Sequence, residues 1–216
     1  MELGGNGVPM DLIIREEPIA LIEEHATIRS SFVVERCFDV STPNGGLGDI
    51  VLTEVAVEPP WLKDYDAIKG EGPTRWPKRF DTSNWGLIAA HRDDARVGGA
   101  VIAFNTAGIN MLEGRRDLAV LWDIRVRSDV RSQGVGRALF QETEKWARSQ
   151  GCRTLKVETQ NINVPACRFY SKMGCTLGAI DRYAYLDLPN EVQLLWFKEL
   201  GSAHQTGPDF EDQLVH

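Results

Sequence analysis

The sequence predicts one mixed α/β domain, and three observations carry that prediction. The chain has 216 residues, 43% of them hydrophobic, which suffices for one full core. Its first half holds short runs of β-branched and aromatic residues separated by Gly, Pro, Asn and Asp, the pattern of antiparallel strands. Its second half runs apolar strand, helical repeat, strand, helical repeat, and then a last pair of strands.

In chain order, residues 1–10 read as a flexible arm and 201–216 as a flexible polar tail, with a single domain over 11–200. SFVVERCF (31–38) predicts a strand, TPNGGLG (42–48) a turn and DIVLTEVAV (49–57) a second extended segment. Residues 59–85 are broken by prolines and glycines and contain Trp61, Trp76 and Trp85. Such a segment is either a lid over a site or a surface loop anchored by its aromatics. WGLIAAH (85–91) and VGGAVIAFNT (97–106) flank the turn RDDAR and predict a hairpin. DLAVLWDIRV (117–126) is nearly continuously apolar, as expected of a central strand.

Val135, Ala138, Leu139, Trp146 and Ala147 recur at helical spacing, and Gly151 stops that helix. TLKVET (154–159) is the next strand. Asn163 then caps a short helix with Pro165 in its first turn, where a missing N–H costs nothing. Ala166, Phe169, Tyr170 and Met173 line one face of that helix, and Gly174 ends it. YAYLDL (183–188) and VQLLWFKEL (192–200) predict the closing strands.

Composition narrows the functions. Lys and Arg number 24 against 31 Asp and Glu, a formal charge of −7. That balance disfavours nucleic acid, whose binding rests on neutralised phosphates, and is compatible with a cationic ligand. The four cysteines form no C-x-x-C pair and the four histidines no H-E-x-x-H, so no metal site is expected and the cysteines read as small buried hydrophobes. No apolar run nears the ~18 residues of a membrane span, and the N-terminus lacks the features of a secretory signal. A cytoplasmic protein without a membrane partner is expected.

The chemistry concentrates in VRSDVRSQGVGRALF (126–140). A helix N-terminus offers unpaired N–H groups and the positive end of a dipole, and Gly134 and Gly136 clear space for an anion to reach them. A P-loop is excluded because no G-x-x-x-x-G-K-[ST] string occurs. The dinucleotide fingerprint fits only in part. Leu139 stands where its third glycine belongs, and Gly134 lies too far beyond the strand that ends near Val126.

Val126, Arg131, Gly134, Gly136 and Leu139, spaced V-x-x-x-x-R-x-x-G-x-G-x-x-L, resemble the acyl-CoA motif of the GNAT superfamily of N-acetyltransferases. Asn163, Ala166, Phe169-Tyr170 and Gly174 resemble its second motif, N-x-x-A-x-x-F-Y-x-x-x-G-F, with Cys175 in place of the last phenylalanine. ETQNINVPACRFYSKMG, WLKDYDAI and LLWF are similar to parts of the streptothricin acetyltransferase branch, which modifies an antibiotic's β-lysyl amine.

The resemblance implies a GNAT-type domain: a mixed, mostly antiparallel twisted sheet of six to seven strands, splayed at the acyl-CoA site and flanked by helices. It implies acetyl-CoA as cosubstrate. Ile124, Arg125 and Val126 would pair with the pantetheine arm, and the backbone amides of Ser132, Gln133, Gly134, Val135, Gly136 and Arg137, aided by Arg131, would hold the pyrophosphate. Asn163 is either a helix cap alone or also a cofactor contact beside Ala166. Tyr170 matches the family's general acid for the leaving thiolate, although a tyrosine on an apolar helix face is otherwise core.

A lysine-like amine, with a pKa of about 10.4, needs a base before it can attack. Asp123 and Glu158 are the candidates. Asp123 could instead serve a salt bridge with Arg125, and Glu158 could merely bind a cationic substrate. In a regular strand Asp123 would share a face with Leu121 and Arg125; a bulge would change that. The expected function is direct acetyl transfer to a small cationic amine. The alternatives are a polyamine, amino acid or protein amine as acceptor, or a non-catalytic CoA-binding regulatory module. Many family members are homodimers, and the expectation extends to this chain.

Overall fold

The computed structural model describes residues 12–201. The arm expected over 1–10 and, Gly201 apart, the tail expected over 201–216 lie outside those residues. The elements are β1 (Ile13–Glu17), α1 (Ile22–Ala26), β2 (Ser31–Ser41), β3 (Val51–Asp64), α2 (Trp76–Arg79), β4 (Gly86–Arg92), β5 (Ala95–Phe104), β6 (Leu118–Val126), α3 (Val135–Ser149), β7 (Thr154–Gln160), α4 (Val164–Lys172), β8 (Thr176–Asp181) and β9 (Gln193–Glu199).

Seven strands form one sheet in the order β1-β4-β5-β6-β7-β9-β8, while β2 and β3 form a separate two-stranded ribbon. Only β6 and β7 run parallel; every other neighbouring pair is antiparallel. The expected hairpin is present as β4–β5. Asp93 and Asp94 both adopt positive φ, 50° and 61°, as the tight mirror-image hairpin turns require. β6 lies at the centre, as its apolar run foretold.

The sheet separates two hydrophobic clusters. On one face, Val135, Leu139, Phe140, Trp146 and Ala147 of α3, with Cys167 and Tyr170 of α4, pack against Ile102, Leu121, Leu155 and Val157. On the other, Ile22 of α1, Trp76 of α2 and Trp85 pack against Val101, Ala103 and Val120. The ribbon docks on the first cluster through Val40, Phe38 and Leu52, and Phe38 exchanges hydrogen bonds with Asn161 after β7 (2.9 and 2.8 Å). No helix among the described residues is long and apolar enough to cross a membrane.

Three expectations need correction. β1 and α1 were not foreseen: IIREE offers little alternation, and α1 has only five residues. Residues 183–188 are not a strand. The strand in that region is β8, Thr176–Asp181, and 182–192 form the connection to β9. YAYLDL has strand-like side chains, but β8 already pairs with β9 along Thr176–Asp181. Finally, the segment expected to be irregular from 59 onward continues β3 as far as Asp64, because Pro59 and Pro60 fall in the register break between the Arg36–Ala56 and Val34–Trp61 pairs, where the ladder asks for no donor. Beyond it come α2 and two single turns of 3-10 helix.

Candidate active site

β6 and β7 pair only from Leu118–Thr154 to Leu121–Val157 and then diverge. The rest of β6, residues 122–126, therefore faces β7 with an unpaired edge, as the resemblance implied for the pantetheine arm around Ile124, Arg125 and Val126. The Val126 carbonyl is already engaged, however, by Nε of Arg131 at 3.2 Å. A cavity of about 360 Å³ opens at the divergence. Asp123, Glu158, Asn163 and Tyr170 all line it, together with Tyr65 and Trp76 from the segment after β3. That segment thus forms part of the cavity wall.

The divergence begins beside a β-bulge. Val101 lies opposite Asp123 and Ile102 opposite Leu121, so Trp122 has no partner on β5. Leu121 packs under α3, and strict alternation would send Asp123 the same way. The bulge turns Asp123 to the α1 face instead. There its carboxylate accepts hydrogen bonds from Nε2 of His25 (2.7 Å) and Nε of Arg125 (2.6 Å). Arg125 also donates to Oδ1 of Asp66 (2.8 Å) and the Ile28 carbonyl (2.9 Å). Nδ1 of His25 is buried without a partner, which fits the tautomer carrying its proton on Nε2. Burial works to raise the Asp123 carboxyl, but His25 and Arg125 outweigh it and hold the group below the ordinary carboxylate range.

Glu158 shares the α1 face, since Val157 and Thr159 on either side point into the opposite packing. Its oxygens accept from the Tyr185 hydroxyl (2.6 Å) and Nε2 of Gln193 (2.9 Å). Both donors are neutral. Asp123, by contrast, is neutralised by Arg125.

Tyr170 reaches the cavity from the other face. It is 4% exposed within the α3–α4 cluster, and its hydroxyl makes no hydrogen bond among the described residues. Burial, then the Asp123 charge, raise its phenol well above the usual range, so it stays protonated. Asn163 caps α4 as expected, its Oδ1 accepting from the Ala166 N–H at 3.2 Å.

The glycine turn has the form of an anion cradle. Ser132 (φ 63°) and Gly134 (φ 87°) are left-handed, and such alternation turns successive N–H groups toward one concavity. Ala138 is the first residue of the stretch whose N–H has a backbone acceptor, the Gly134 carbonyl at 3.0 Å. Among the described residues, the amides of Ser132, Gln133, Gly134, Val135, Gly136 and Arg137 thus await one. A Cβ on Gly136 would meet Phe169 only at 3.6 Å, so packing within the protein does not demand glycine there. Nη1 of Arg92, from the end of β4, donates to Oε1 of Gln133 at 2.7 Å and brings a cation to the turn.

The sequence profile of the acetyltransferase (GNAT) family matches residues 55–175. The chain belongs to the GNAT family. As a GNAT enzyme it is an N-acetyltransferase with acetyl-CoA as cosubstrate, and the open amides of the turn fit that molecule's pyrophosphate. Within the family it is similar to streptothricin acetyltransferases. That of Escherichia coli is 37% identical over 180 residues, 82% of this chain and 90% of the relative. Streptothricin acetyltransferase A of Bacillus subtilis is 40% identical over 81 residues, which span 37% of this chain and about half (47%) of that protein. A Bacillus anthracis protein described as a streptothricin acetyltransferase, solved in complex with acetyl coenzyme A, superposes with a TM-score of 0.67 at 27% identity over 88% of this chain and 98% of the other.

Sequence reasoning missed His25, Tyr65, Asp66, Arg92, Tyr185 and Gln193. Each is remote in sequence from the motif residue it touches, and no periodicity marks it. Tyr185 was hidden by the strand expected over 183–188.

Proposed function

We propose that this GNAT enzyme acetylates a primary amine of a small cationic acceptor of the streptothricin type by direct attack within a ternary complex. The observation that carries the reading is the uncompensated carboxylate of Glu158. It faces the cavity with only neutral donors upon it, on the wall that also carries Trp76 and Tyr65. A carboxylate beside aromatic faces suits an ammonium group. The similarity to streptothricin acetyltransferases supports the antibiotic as acceptor.

In this reading Glu158 binds the ammonium and takes its proton, directly or through water, and Tyr170 gives a proton to the departing thiolate from the opposite face of the sheet. Asp123 is the weaker candidate base, because His25 and Arg125 hold it ionised and engaged. A covalent acyl-enzyme finds no support in the cysteines: burial pushes the Cys167 thiol up to about 11, so little thiolate forms at neutral pH. Assembly as a homodimer belongs to the same reading and is tested by light scattering of the purified protein.

A CoA-release assay across an amine panel tests the acceptor. Streptothricin, spermidine, free lysine and an N-terminal peptide amine are offered at equal concentration. Streptothricin is expected to give a kcat/KM at least tenfold above the others. A preference for the peptide, or no turnover of any amine by protein that binds acetyl-CoA, would overturn the proposal.

A further inference from the structure

We propose that Tyr185, carried by the connection between β8 and β9, is a positioning residue for Glu158, fixed by a one-way chain of hydrogen bonds that begins at Tyr65. The inference rests on the reading above, in which Glu158 handles the acceptor amine.

The direction of every proton in the chain is determined. The Tyr65 hydroxyl donates to Oε1 of Gln160. That bond orients the Gln160 amide, so Nε2 points the other way and donates to the Tyr185 oxygen at 3.0 Å. A phenol has a single proton, and with its oxygen already accepting, Tyr185 directs that proton to Oε1 of Glu158 at 2.6 Å. Gln193, the first residue of β9, supplies Nε2 to the other carboxylate oxygen at 2.9 Å. All donors converge on one carboxylate. Such chains polarise one another and hold the terminal group in one orientation. Burial, followed for Tyr185 by the Glu158 charge, raises both phenols, which keeps the two protons in place at working pH.

The chain orients; it does not conduct. An amide between two hydroxyls interrupts proton hopping, so a proton taken up by Glu158 has no path back toward Tyr65. Placement agrees with this role. Glu158 and Gln160 are two residues apart on β7 and share a face, so one strand presents the carboxylate and the link that steadies it. Tyr65 follows β3, while Tyr185 arrives from the 182–192 connection, where Tyr183 and Leu186 are 83% and 90% exposed. Tyr185 is thus the aromatic of that connection turned inward, and it ties the connection to the acceptor side of the cavity.

A double-mutant cycle tests the proposal with the fastest acceptor of the amine panel. Tyr185→Phe is expected to lower kcat/KM for that acceptor about tenfold, with the acetyl-CoA Kd and the melting temperature near wild type. In a Glu158→Gln background the same change should cost less than twofold, since nothing remains to be positioned. Tyr65→Phe, two bonds further out, should show a smaller loss that likewise vanishes in Glu158→Gln. An equal loss in both backgrounds, or Tyr185→Phe within twofold of wild type, would overturn the role of Tyr185. Glu158→Gln at wild-type kcat/KM would overturn the underlying reading of Glu158 instead, and the chain with it. Should Tyr185→Phe not fold, Gln193→Leu removes the second donor without touching the connection, and the same pair of backgrounds decides the outcome.

Discussion

Tyr170 and Asp123 show how one environment sends two titratable groups in opposite directions. The Tyr170 phenol is buried without a donor or a cation beside it, so only its neutral form is comfortable. Its proton therefore stays available above pH 10, where a free tyrosine ionises. Tyr170→Phe is expected to lower kcat by roughly 10²–10⁴-fold while the acetyl-CoA Kd barely moves. A variant within twofold of wild type in single-turnover rate would reduce Tyr170 to core packing. Asp123 is less enclosed and meets His25 and Arg125, and its folded carboxyl sits below the unfolded value. A depressed acid contributes stability that is complete above the unfolded pKa of about 3.9 and is lost as pH falls through the folded one. Asp123→Asn should thus be less stable than wild type at pH 7, with the difference shrinking below about pH 4. Urea denaturation across pH 2–7 measures this; a difference independent of pH would refute it.

At the scale of the element, the glycine turn and the bulge do different work. Gly134 is left-handed at φ 87°, a conformation that costs a side-chain-bearing residue about 1 kcal/mol. Gly136 has an ordinary backbone and room for a Cβ. Gly134→Val should therefore lose both thermal stability and acetyl-CoA, whereas Gly136→Val should stay folded and still bind at least tenfold more weakly, about 1.4 kcal/mol. Calorimetry showing unchanged acetyl-CoA affinity in folded Gly136→Val would contradict the assignment of the turn. The bulge at Trp122 is the other device. It re-aims the end of β6 so that Asp123 faces α1 while Leu121 stays in the α3 core, just where the hydrogen bonds to β7 stop.

Taken as a whole, the molecule sets the Glu158 and Asp123 carboxylates on one face of the sheet and Tyr170 on the other, with the gap between β6 and β7 joining them; in the proposed reading these are the acceptor side and the proton-donating side. This arrangement depends on α1 lying close against β5. His25 of α1 is fully buried and packs on Gly99 so tightly that an added Cβ would collide with its Nδ1. Gly99→Ala is expected to cost about 1–3 kcal/mol, as overpacking does, lowering the melting temperature by several degrees. It should also impair turnover, because His25 can no longer hold Asp123. A stable, fully active Gly99→Ala would mean that α1 can shift without consequence for the site.

Much of this was legible in the sequence because it is local. The strand–turn–helix from β6 into α3, the cap of Asn163 on α4, and the glycine pair each depend on residues within a few positions of one another, and local sterics and hydrogen bonding decide them. The two motifs that carried the family resemblance are of that kind. What depended on the tertiary structure is what joins distant segments. The face to which Asp123 turns was decided by a bulge that follows from pairing with β5; its partner His25, and Asp66, which shares Arg125 with it, come from segments far away in the chain. Tyr185 was assigned to a strand because alternating Tyr and Leu resemble one. Its actual place, donating to Glu158 from a loop, was settled by β8 having already taken the pairing edge of β9, a competition that no stretch of sequence contains by itself.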